Sequence, residues 1–317
     1  MIPVQQISLG RTGLTVSALC FGAMNLGSSV DKAASFRLLD TFVDEGGTFL
    51  DTSNNYAHWV AGCTGDESET LLGEWLHATG KRNAVQIATK VGFDRHGAGA
   101  GLTARQIEYW CDESLRKLRT DVIDLYYAHV DDPHTPPEET MDAFTRLRKK
   151  GKIRALGASN HYAWRLAEIR RACDQNGLDP YTVLQQKFTY LFAQGGISRP
   201  YPYNVNAGIE HLRYLAQADM PLVAYSCLAS GGYADNARLP ANYIQGERLA
   251  TLNRMAAEKG VPPSTLVLAW MLRSVRFADR PRIVPLFSSS CVEHLRENLR
   301  AVDLVLDTAE VAALNEA

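Results

Sequence analysis

Several features that mark specialised protein classes are missing from this sequence of 317 residues. Its six cysteines are widely scattered and form no Cys-x-x-Cys pair, which argues against a metal site built from cysteine and against a disulfide framework. No apolar run approaches the roughly 18 residues that a membrane-spanning helix needs. The first residues contain neither a basic nor an apolar signal region, so we expect a cytoplasmic protein.

An excess of charge of one sign is also lacking. The 33 lysines and arginines are balanced by 35 aspartates and glutamates, which gives a net charge of −2. Because no basic excess is available to bind a phosphate backbone, neither nucleic acid nor a membrane surface is expected as a partner. The composition, 46% hydrophobic and 21% charged, is typical of a soluble globular protein.

The glycine fingerprint of doubly wound dinucleotide-binding sheets is absent from the early part of the chain. After the apolar segment 18–21 the sequence reads Gly-Ala-Met-Asn-Leu-Gly, which lacks the Gly-x-Gly-x-x-Gly spacing. An open sheet of that kind is therefore not favoured.

What the chain does contain is a regular alternation of apolar strand patterns with helical patterns. The predicted strands cover residues 18–21, 48–50, 85–89, 122–128, 153–158, 183–185, 222–224 and 283–286. Eight strand–helix units in a chain of this length favour a closed α/β barrel, the (β/α)8 TIM barrel. We predict one domain over residues 1–317, with a short hairpin at residues 6–17 and long loops at the C-terminal mouth.

Three helix boundaries are predicted from local residue preferences. Thr103 and Gln106 form a capping box, and Thr135 is predicted as the N-cap of the next helix with Pro136 at its first position. The last helix of the chain is predicted over residues 292–301.

Polar side chains stand where most of the predicted strands end, and in a TIM barrel all strand C-termini open on one face. Taken singly, each has an ordinary structural interpretation. Asp51 can be a turn residue, Lys90 a solvated cation and His129 a core histidine bonded to a backbone carbonyl. The positions concerned are Asp51, Lys90, His129, Ser159, Asn160, Gln186, Tyr225 and Ser226.

Asp51, Tyr56, Lys90 and His129 together have a coherent chemistry. A tyrosine with an ordinary pKa of about 10 is a poor proton donor at neutral pH, and a neighbouring ammonium is expected to lower that pKa. Asp51 would keep the buried Lys90 charged, while His129 would orient a carbonyl or hydroxyl oxygen toward Tyr56. Protein side chains cannot supply a hydride, so carbonyl reduction by this set implies a nicotinamide.

The chain resembles bacterial-type members of the aldo-keto reductase superfamily over nearly its whole length. The matching segments are Phe-Gly at 21–22, Phe-Leu-Asp-Thr-Ser-x-x-Tyr at 49–56, Gly-Asp-Glu-Ser-Glu at 65–69, Ala-Thr-Lys at 88–90, Asp-Leu-Tyr-Tyr-Ala-His at 124–129, Gly-Ala-Ser-Asn at 157–160, Ala-Tyr-Ser-x-Leu at 224–228 and Glu-His-Leu-x-Glu-Asn at 293–298. The resemblance implies that Asp51, Tyr56, Lys90 and His129 are catalytic.

The resemblance also implies a cofactor site. Ser159, Asn160 and Gln186 would bond the carboxamide, and Tyr225 would stack on the nicotinamide. The remaining residues assigned to the cofactor are Gly22, Met24, Asp51, Ser226, Leu228, Ser230, Ser288, Ser289, Ser290, His294, Glu297 and Asn298.

The preference between NAD and NADP is left open by one departure from the family pattern. NADP-preferring members usually place a cation in the loop after the last strand, where this chain has Ser288, Ser289 and Ser290, followed by His294. Hydroxyl groups can bond a phosphate but carry no permanent charge. NADP is expected from the family, NAD remains plausible, and Arg296 is predicted to face elsewhere on the helix.

The resulting hypothesis is an NAD(P)(H)-dependent oxidoreductase that interconverts aldehydes, ketones or aldose-type sugars with alcohols. Trp59 and His129 are expected to contact the substrate, and Tyr201, Tyr203 and Tyr233 are further candidates at the mouth. One alternative is a cofactor-binding auxiliary subunit of the same fold with negligible turnover. A metal-dependent barrel hydrolase is a weaker alternative, since only His129 and Asp51 among the strand-end residues suit a metal.

Overall fold

A small antiparallel hairpin precedes the main sheet in the computed structural model, which describes residues 4–93, 100–191, 205–273 and 281–317. Strands β1 (Gln6–Ser8) and β2 (Thr15–Ser17) pair antiparallel across a short helical turn at Gly10–Thr12. The turn closes at Gly13, whose φ of 76° is a left-handed conformation that glycine adopts at little cost. The hairpin lies where the sequence predicted it.

Eight parallel strands then close into a barrel, which confirms the predicted (β/α)8 TIM barrel. The first strand of the barrel pairs with the last one, so that no edge is left open. In chain order the strands are β3 (Cys20–Gly22), β4 (Phe49–Asp51), β5 (Gln86–Val91), β6 (Ile123–Ala128), β7 (Ile153–Ser159), β8 (Val183–Lys187), β9 (Leu222–Tyr225) and β10 (Ile283–Phe287).

Amphipathic helices cover the outside of the barrel. They are α1 (Lys32–Asp44), α2 (Glu67–Thr79), α3 (Ala104–Leu118), α4 (Pro137–Lys149), α5 (Ala163–Asn176), α6 (Ile209–Ala218), α7 (Gly246–Lys259), α8 (Pro263–Arg273), α9 (Val292–Leu299) and α10 (Thr308–Glu316). Helix α3 begins with the predicted capping box, in which the Thr103 hydroxyl accepts from the Gln106 amide. No helix in the described part of the chain is long and apolar enough to cross a lipid bilayer.

Two of the predicted helix boundaries are wrong. The Thr135 hydroxyl donates to Asp132 at 2.6 Å instead of capping α4, so Pro136 takes the N-cap position and α4 begins one residue later than predicted. Helix α9 ends at Leu299, followed by a short 3-10 turn. A further helix, α10, then begins at a capping box formed by Asp307 and Glu310. The sequence contains this pattern, but no helix was predicted there.

The alternation of side chains along each strand creates two hydrophobic layers. Outward residues pack against the helices, whereas inward residues fill the barrel, as in Phe49, Tyr127 and Val183. Continuing the same alternation by two residues brings Asp51 and Gln185 to the inside at the C-terminal end. The polar residues at the C-terminal mouth therefore lie directly above the buried apolar layer of the barrel.

The close approach between β6 and β7 provides a test of this packing. A Cβ atom at Gly157 would lie 2.3 Å from Cδ1 of the buried Tyr127 ring, so we expect Gly157→Ala to lower the free energy of unfolding by about 1–3 kcal/mol. Urea denaturation measures this change. Gly208→Ala, where a Cβ meets nothing within 4 Å, is the matched control and should change stability by no more than about 0.5 kcal/mol. Equal effects of the two substitutions would contradict the packing described.

Candidate active site

The side chain of Lys90 lies at the centre of a cluster at the C-terminal end of the barrel. Its Nζ atom is 2.5 Å from Asp51 Oδ1, 2.7 Å from the Thr52 carbonyl oxygen and 2.8 Å from Tyr56 Oη. An ammonium group has three hydrogens to donate, and these contacts use all of them. Lys90 is fully buried and Asp51 is 1% exposed, so the ion pair is shielded from water.

A tight turn after β4 returns Tyr56 toward the strand that it has just left. The Tyr56 amide donates to the Ser53 carbonyl at 3.5 Å, and Ala57 adopts a left-handed φ of 74°. The phenol hydroxyl donates to Asp51 Oδ1 at 3.2 Å while accepting from Lys90, whose Nζ lies 4.6 Å from the ring centroid. Asp51, Tyr56 and Lys90 thus share one hydrogen-bond cluster, in which Lys90 is 39 residues from Asp51 in sequence.

The second oxygen of Asp51 is held by a residue that the sequence analysis did not select. Gln185 donates from Nε2 to Asp51 Oδ2 at 2.7 Å and is buried. The strand alternation contained the necessary signal, because Gln185 stands two residues after Val183, which points into the barrel. Both carboxylate oxygens are therefore fixed, one by a cation and the other by an amide.

The direction of the Tyr56 pKa differs from the expectation. Burial, followed by the charge of Asp51 and the hydrogen bond to it, raises the pKa of Tyr56 well above its usual range. Burial lowers the pKa of Lys90, an effect that the charge of Asp51 opposes. The expected lowering of the phenol pKa by Lys90 does not appear here, because burial and then the negative charge of Asp51 favour the neutral phenol. The cluster therefore holds a protonated phenol.

His129 follows β6 and faces the same cluster. Its backbone amide donates to the Val91 carbonyl at 2.7 Å, and its ring centroid lies 6.0 Å from that of Tyr56. Burial and the charge of Lys90 keep the pKa of His129 well below its usual range, so the imidazole is neutral at physiological pH. Its Nδ1 atom lies 3.0 Å from Ser53 Oγ. A neutral ring can donate from one nitrogen and accept at the other.

The family of the chain is shown by its similarity to known proteins. The family model described as the aldo/keto reductase family matches residues 18–317. The chain belongs to the aldo/keto reductase family.

Similar curated proteins are oxidoreductases. The chain is 30% identical to "Uncharacterized oxidoreductase YrpG" of Bacillus subtilis, over 97% of this chain and 94% of that protein. It is 28% identical to "Norsolorinic acid reductase A" of Aspergillus parasiticus, over 96% and 78% of the two chains. It is also 27% identical to "Aryl-alcohol dehydrogenase GME11368" of Pestalotiopsis microspora, over 95% and 78%.

The residues predicted to bond a nicotinamide carboxamide in this aldo/keto reductase already bond one another. Asn160, in a left-handed conformation with φ of 56°, donates from Nδ2 to the His129 carbonyl at 3.0 Å. Its Oδ1 accepts from the Tyr225 hydroxyl at 2.7 Å. Gln186 accepts from the Asn160 amide and donates to the His161 carbonyl, so its amide holds the backbone at the end of β7. The buried Ser159 lies at the last position of β7.

The segment after β9 turns sharply at the residues predicted to meet the pyrophosphate. Ser226 and Ser230 both have left-handed conformations, with φ of 52° and 57°, and both side chains are exposed. Leu228 is half-buried between them, and its carbonyl accepts from the Gly231 amide at 3.0 Å. The two serine hydroxyls are thus accessible at the mouth side of the barrel.

The pairing of β3 with β10 brings Gly22 next to residues 288–290, which we call the serine run. Ser288 donates to the Gly22 carbonyl at 3.0 Å, and a Cβ on Gly22 would lie 2.8 Å from Ser288 Oγ. Met24, two residues further, is 38% exposed. The close contact explains why a residue without a side chain occupies position 22.

The residues after β10 divide into buried and exposed positions. Ser289 is buried and its Oγ accepts from Asn298 Nδ2 at 3.4 Å, while Ser290 and His294 are exposed. Glu297 is half-buried. Arg296 pairs with Glu45 at 3.2 Å, which confirms the prediction that this cation is directed away from the serine run.

Aromatic rings border the Lys90 cluster. Trp59 is 55% exposed and lies edge-on to Tyr56, with centroids 6.4 Å apart. Phe93 lies edge-on to His129, with centroids 4.6 Å apart. The prediction that Tyr233 faces the mouth is wrong: this residue is buried, and its hydroxyl bonds Thr189 and the Leu191 amide.

Two further sequence predictions concern loop tyrosines and metal ligands. Tyr201 and Tyr203 lie outside the described residues. Within the ranges that the structure covers, no group of three or more histidine, cysteine, aspartate or glutamate side chains is arranged to hold a metal ion.

The neutral state of the buried His129 generates a pH prediction. When the pKa of the folded state lies below the ordinary value of about 6.5, the unfolded chain binds a proton at pH values at which the native ring stays neutral. The free energy of unfolding should therefore decrease as the pH falls from 6.5 to 5.5, with His129 contributing up to about 1.4 kcal/mol per pH unit.

Urea denaturation at several pH values measures this slope. We expect His129→Gln to make the slope shallower, because the neutral amide does not titrate in either state. The same replacement at the exposed His134 is the control. An unchanged slope in His129→Gln would show that the native ring titrates as it does in the unfolded chain.

Proposed function

We propose that this aldo/keto reductase is an NAD(P)(H)-dependent oxidoreductase that interconverts carbonyl compounds and alcohols, with Tyr56 as the general acid and base. The observation that carries the proposal is the bonding of the Tyr56 hydroxyl, which accepts from Lys90 at 2.8 Å and donates to Asp51 at 3.2 Å. A phenol held in this way can release a proton to an oxygen on which negative charge develops.

Each neighbour of Tyr56 has a defined role in that proton transfer. The Lys90 ammonium stabilises the phenolate that remains after the proton has left. Asp51, fixed by Gln185, compensates the lysine charge in a site that excludes water. In the opposite direction the phenolate accepts the proton of the alcohol. His129 holds the substrate oxygen near the phenol, and both groups are catalytic in this scheme.

The residues around the cluster fit a nicotinamide dinucleotide. When bound, the nicotinamide supplies or accepts the hydride, which no side chain does. The half-buried Tyr225 offers a ring at the end of β9, and Ser159 offers a hydroxyl at the end of β7. We assign to this cofactor the residues Gly22, Met24, Asp51, Ser159, Asn160, Gln186, Tyr225, Ser226, Leu228, Ser230, Ser288, Ser289, Ser290, His294, Glu297 and Asn298.

Preference for NADP over NAD is expected to be weak. No lysine or arginine occurs in the sequence between Arg282 and Arg296, and Arg296 is engaged with Glu45. The exposed Ser290 and His294 offer a 2′-phosphate hydrogen bonds without a permanent charge. We therefore expect NAD and NADP to bind with similar affinity.

Aromatic carbonyl compounds are the substrate class that the mouth suits best. Trp59 and Phe93 offer rings on two sides of the Tyr56 and His129 pair, and aromatic pairs contribute about 0.5–1.5 kcal/mol beyond burial. The names of two relatives, an aryl-alcohol dehydrogenase and a norsolorinic acid reductase, support the same class.

Replacement of the proposed proton donor tests the reaction. We expect Tyr56→Phe to lower kcat for reduction of an aromatic aldehyde by about 10²- to 10⁴-fold, since general acid–base catalysis contributes that range. Steady-state kinetics with NADH and NADPH measure kcat, and quenching of protein fluorescence measures cofactor affinity, which should change little. Tyr109→Phe, at an exposed tyrosine on α3, is the control.

Two outcomes would contradict the proposal. Undiminished hydride transfer in Tyr56→Phe would exclude the phenol as the proton donor. Tight dinucleotide binding without turnover on a broad panel of aldehydes, ketones and sugars would instead indicate the auxiliary, cofactor-binding alternative.

The cofactor preference gives a separate prediction. The dissociation constants of NADH and NADPH should differ by less than roughly a hundredfold, because the missing charge-assisted bond corresponds to about 1.5–3 kcal/mol. Ser290→Arg should strengthen NADPH binding by about ten- to hundredfold while NADH binding stays unchanged. Ser290→Gln, which adds length without charge, is the control. A native NADPH advantage of several thousandfold would show that the phosphate is bound elsewhere.

A further inference from the structure

A buried chain of hydrogen bonds leads from Asn55 to the imidazole of His129. Ser53 Oγ lies 2.8 Å from Asn55 Oδ1 and 3.0 Å from His129 Nδ1. Ser53 is fully buried and Asn55 is 3% exposed, so water does not compete for these bonds. Neither residue belongs to the catalytic set described above.

The direction in which these hydrogen bonds are donated determines which nitrogen of His129 carries its hydrogen. The Ser53 hydroxyl donates to Asn55 Oδ1, so its oxygen is left to accept from His129 Nδ1. A neutral ring with its hydrogen on Nδ1 has only a lone pair on Nε2. A half-turn of the Asn55 amide reverses every bond: the amide then donates to Ser53, Ser53 donates to Nδ1, and the hydrogen lies on Nε2.

The two tautomers differ in what they offer the substrate. Since Ser53 occupies Nδ1, Nε2 is the nitrogen left for the reacting oxygen. A carbonyl oxygen that gains negative charge needs a donor, and a lone pair on Nε2 would repel it. Only the tautomer with hydrogen on Nε2 assists the reaction proposed above.

We propose that Ser53 and Asn55 are positioning residues that select the tautomer of His129, and that rotation of the Asn55 amide switches the ring into its donor form when the substrate oxygen arrives. The catalytic part of this inference rests on the proposed function. The tautomer selection itself concerns the ligand-free protein and is measured separately.

Two substitutions at Asn55 separate this role from a structural one. Asn55→Asp has nearly the same shape but only accepts, so the Ser53 hydroxyl stays locked toward it and the ring stays in the wrong tautomer. Asn55→Ala removes the acceptor, so Ser53 is free to donate to Nδ1. We expect kcat for carbonyl reduction at pH 8 to fall at least about tenfold in the aspartate variant, and to fall clearly less in the alanine variant.

A pH profile provides the second readout. The carboxylate in Asn55→Asp favours protonation of the nearby imidazole, and an imidazolium donates from both nitrogens. The activity of this variant should therefore recover as the pH falls, whereas the alanine variant should show no such recovery. A purely structural role predicts the reverse order, in which the isosteric aspartate is the milder change and neither profile shifts.

Nitrogen-15 NMR of the imidazole rings in the ligand-free protein tests the tautomer directly. The signals of His129, one of 8 histidines, are assigned by their loss in His129→Gln. We expect hydrogen on Nδ1 in the native chain and in Asn55→Asp, and on Nε2 in Asn55→Ala. The same tautomer in all three proteins would overturn the proposal, whatever the outcome of the Tyr56 experiment.

Variants of Ser53 complete the test. Ser53→Ala should uncouple Asn55 from the ring, so that a further Asn55→Asp substitution has little added effect on kcat. Ser53→Thr, which keeps the hydroxyl, should restore the coupling. Ser35→Ala, at another fully buried serine whose hydroxyl is bonded to Val30, controls for the loss of a buried hydroxyl as such. An undiminished effect of Asn55→Asp in the Ser53→Ala background would overturn the relay.

Discussion

Burial of a charged lysine is the constraint on which the C-terminal end of the barrel depends. An ammonium group removed from water is stable only when its hydrogens are bonded and its charge is compensated, and breaking such a pair leaves a charge whose cost is about 3–5 kcal/mol. Lys90 meets the requirement through Asp51, the Thr52 carbonyl and Tyr56. The same bonds that make Lys90 tolerable in the interior also orient the phenol, so stability and chemistry are satisfied by one arrangement.

The barrel supplies this arrangement through simple alternation. Each strand sends every second residue inward, and the apolar inward residues give way to polar ones at the strand ends. Because neighbouring parallel strands are in fixed register, with Asp51 opposite Ala88, the side chain of Lys90 on β5 is brought beside Asp51 on β4. The turn after β4 then needs only five residues to bring back Tyr56.

The barrel and part of the candidate site were predictable from the sequence, whereas contacts that depend on loop conformation were not. The barrel follows from periodicity, and Asp51, Lys90 and His129 follow from their positions at the ends of predicted strands, whereas Tyr56 lies in the loop after β4. Gln185 was missed because the strand was predicted to end there, and the adjacent Gln186 was chosen instead; the parity of Val183 would have favoured Gln185. The bond between Ser53 and His129 joins residues 76 positions apart and depends on a loop conformation that no local pattern fixes.

The pairing of β3 with β10 joins the first and the last strand of the barrel. The Lys90 cluster is formed by residues in or directly after β4, β5 and β6, whereas the bond between Ser288 and Gly22 joins residues 266 positions apart. Contacts of such long range form late, because a large loop must close before they stabilise anything. A chain in which β4, β5 and β6 have paired but β3 and β10 have not would hold the Lys90 cluster without the contact between Ser288 and Gly22, so barrel closure completes the C-terminal end of the barrel.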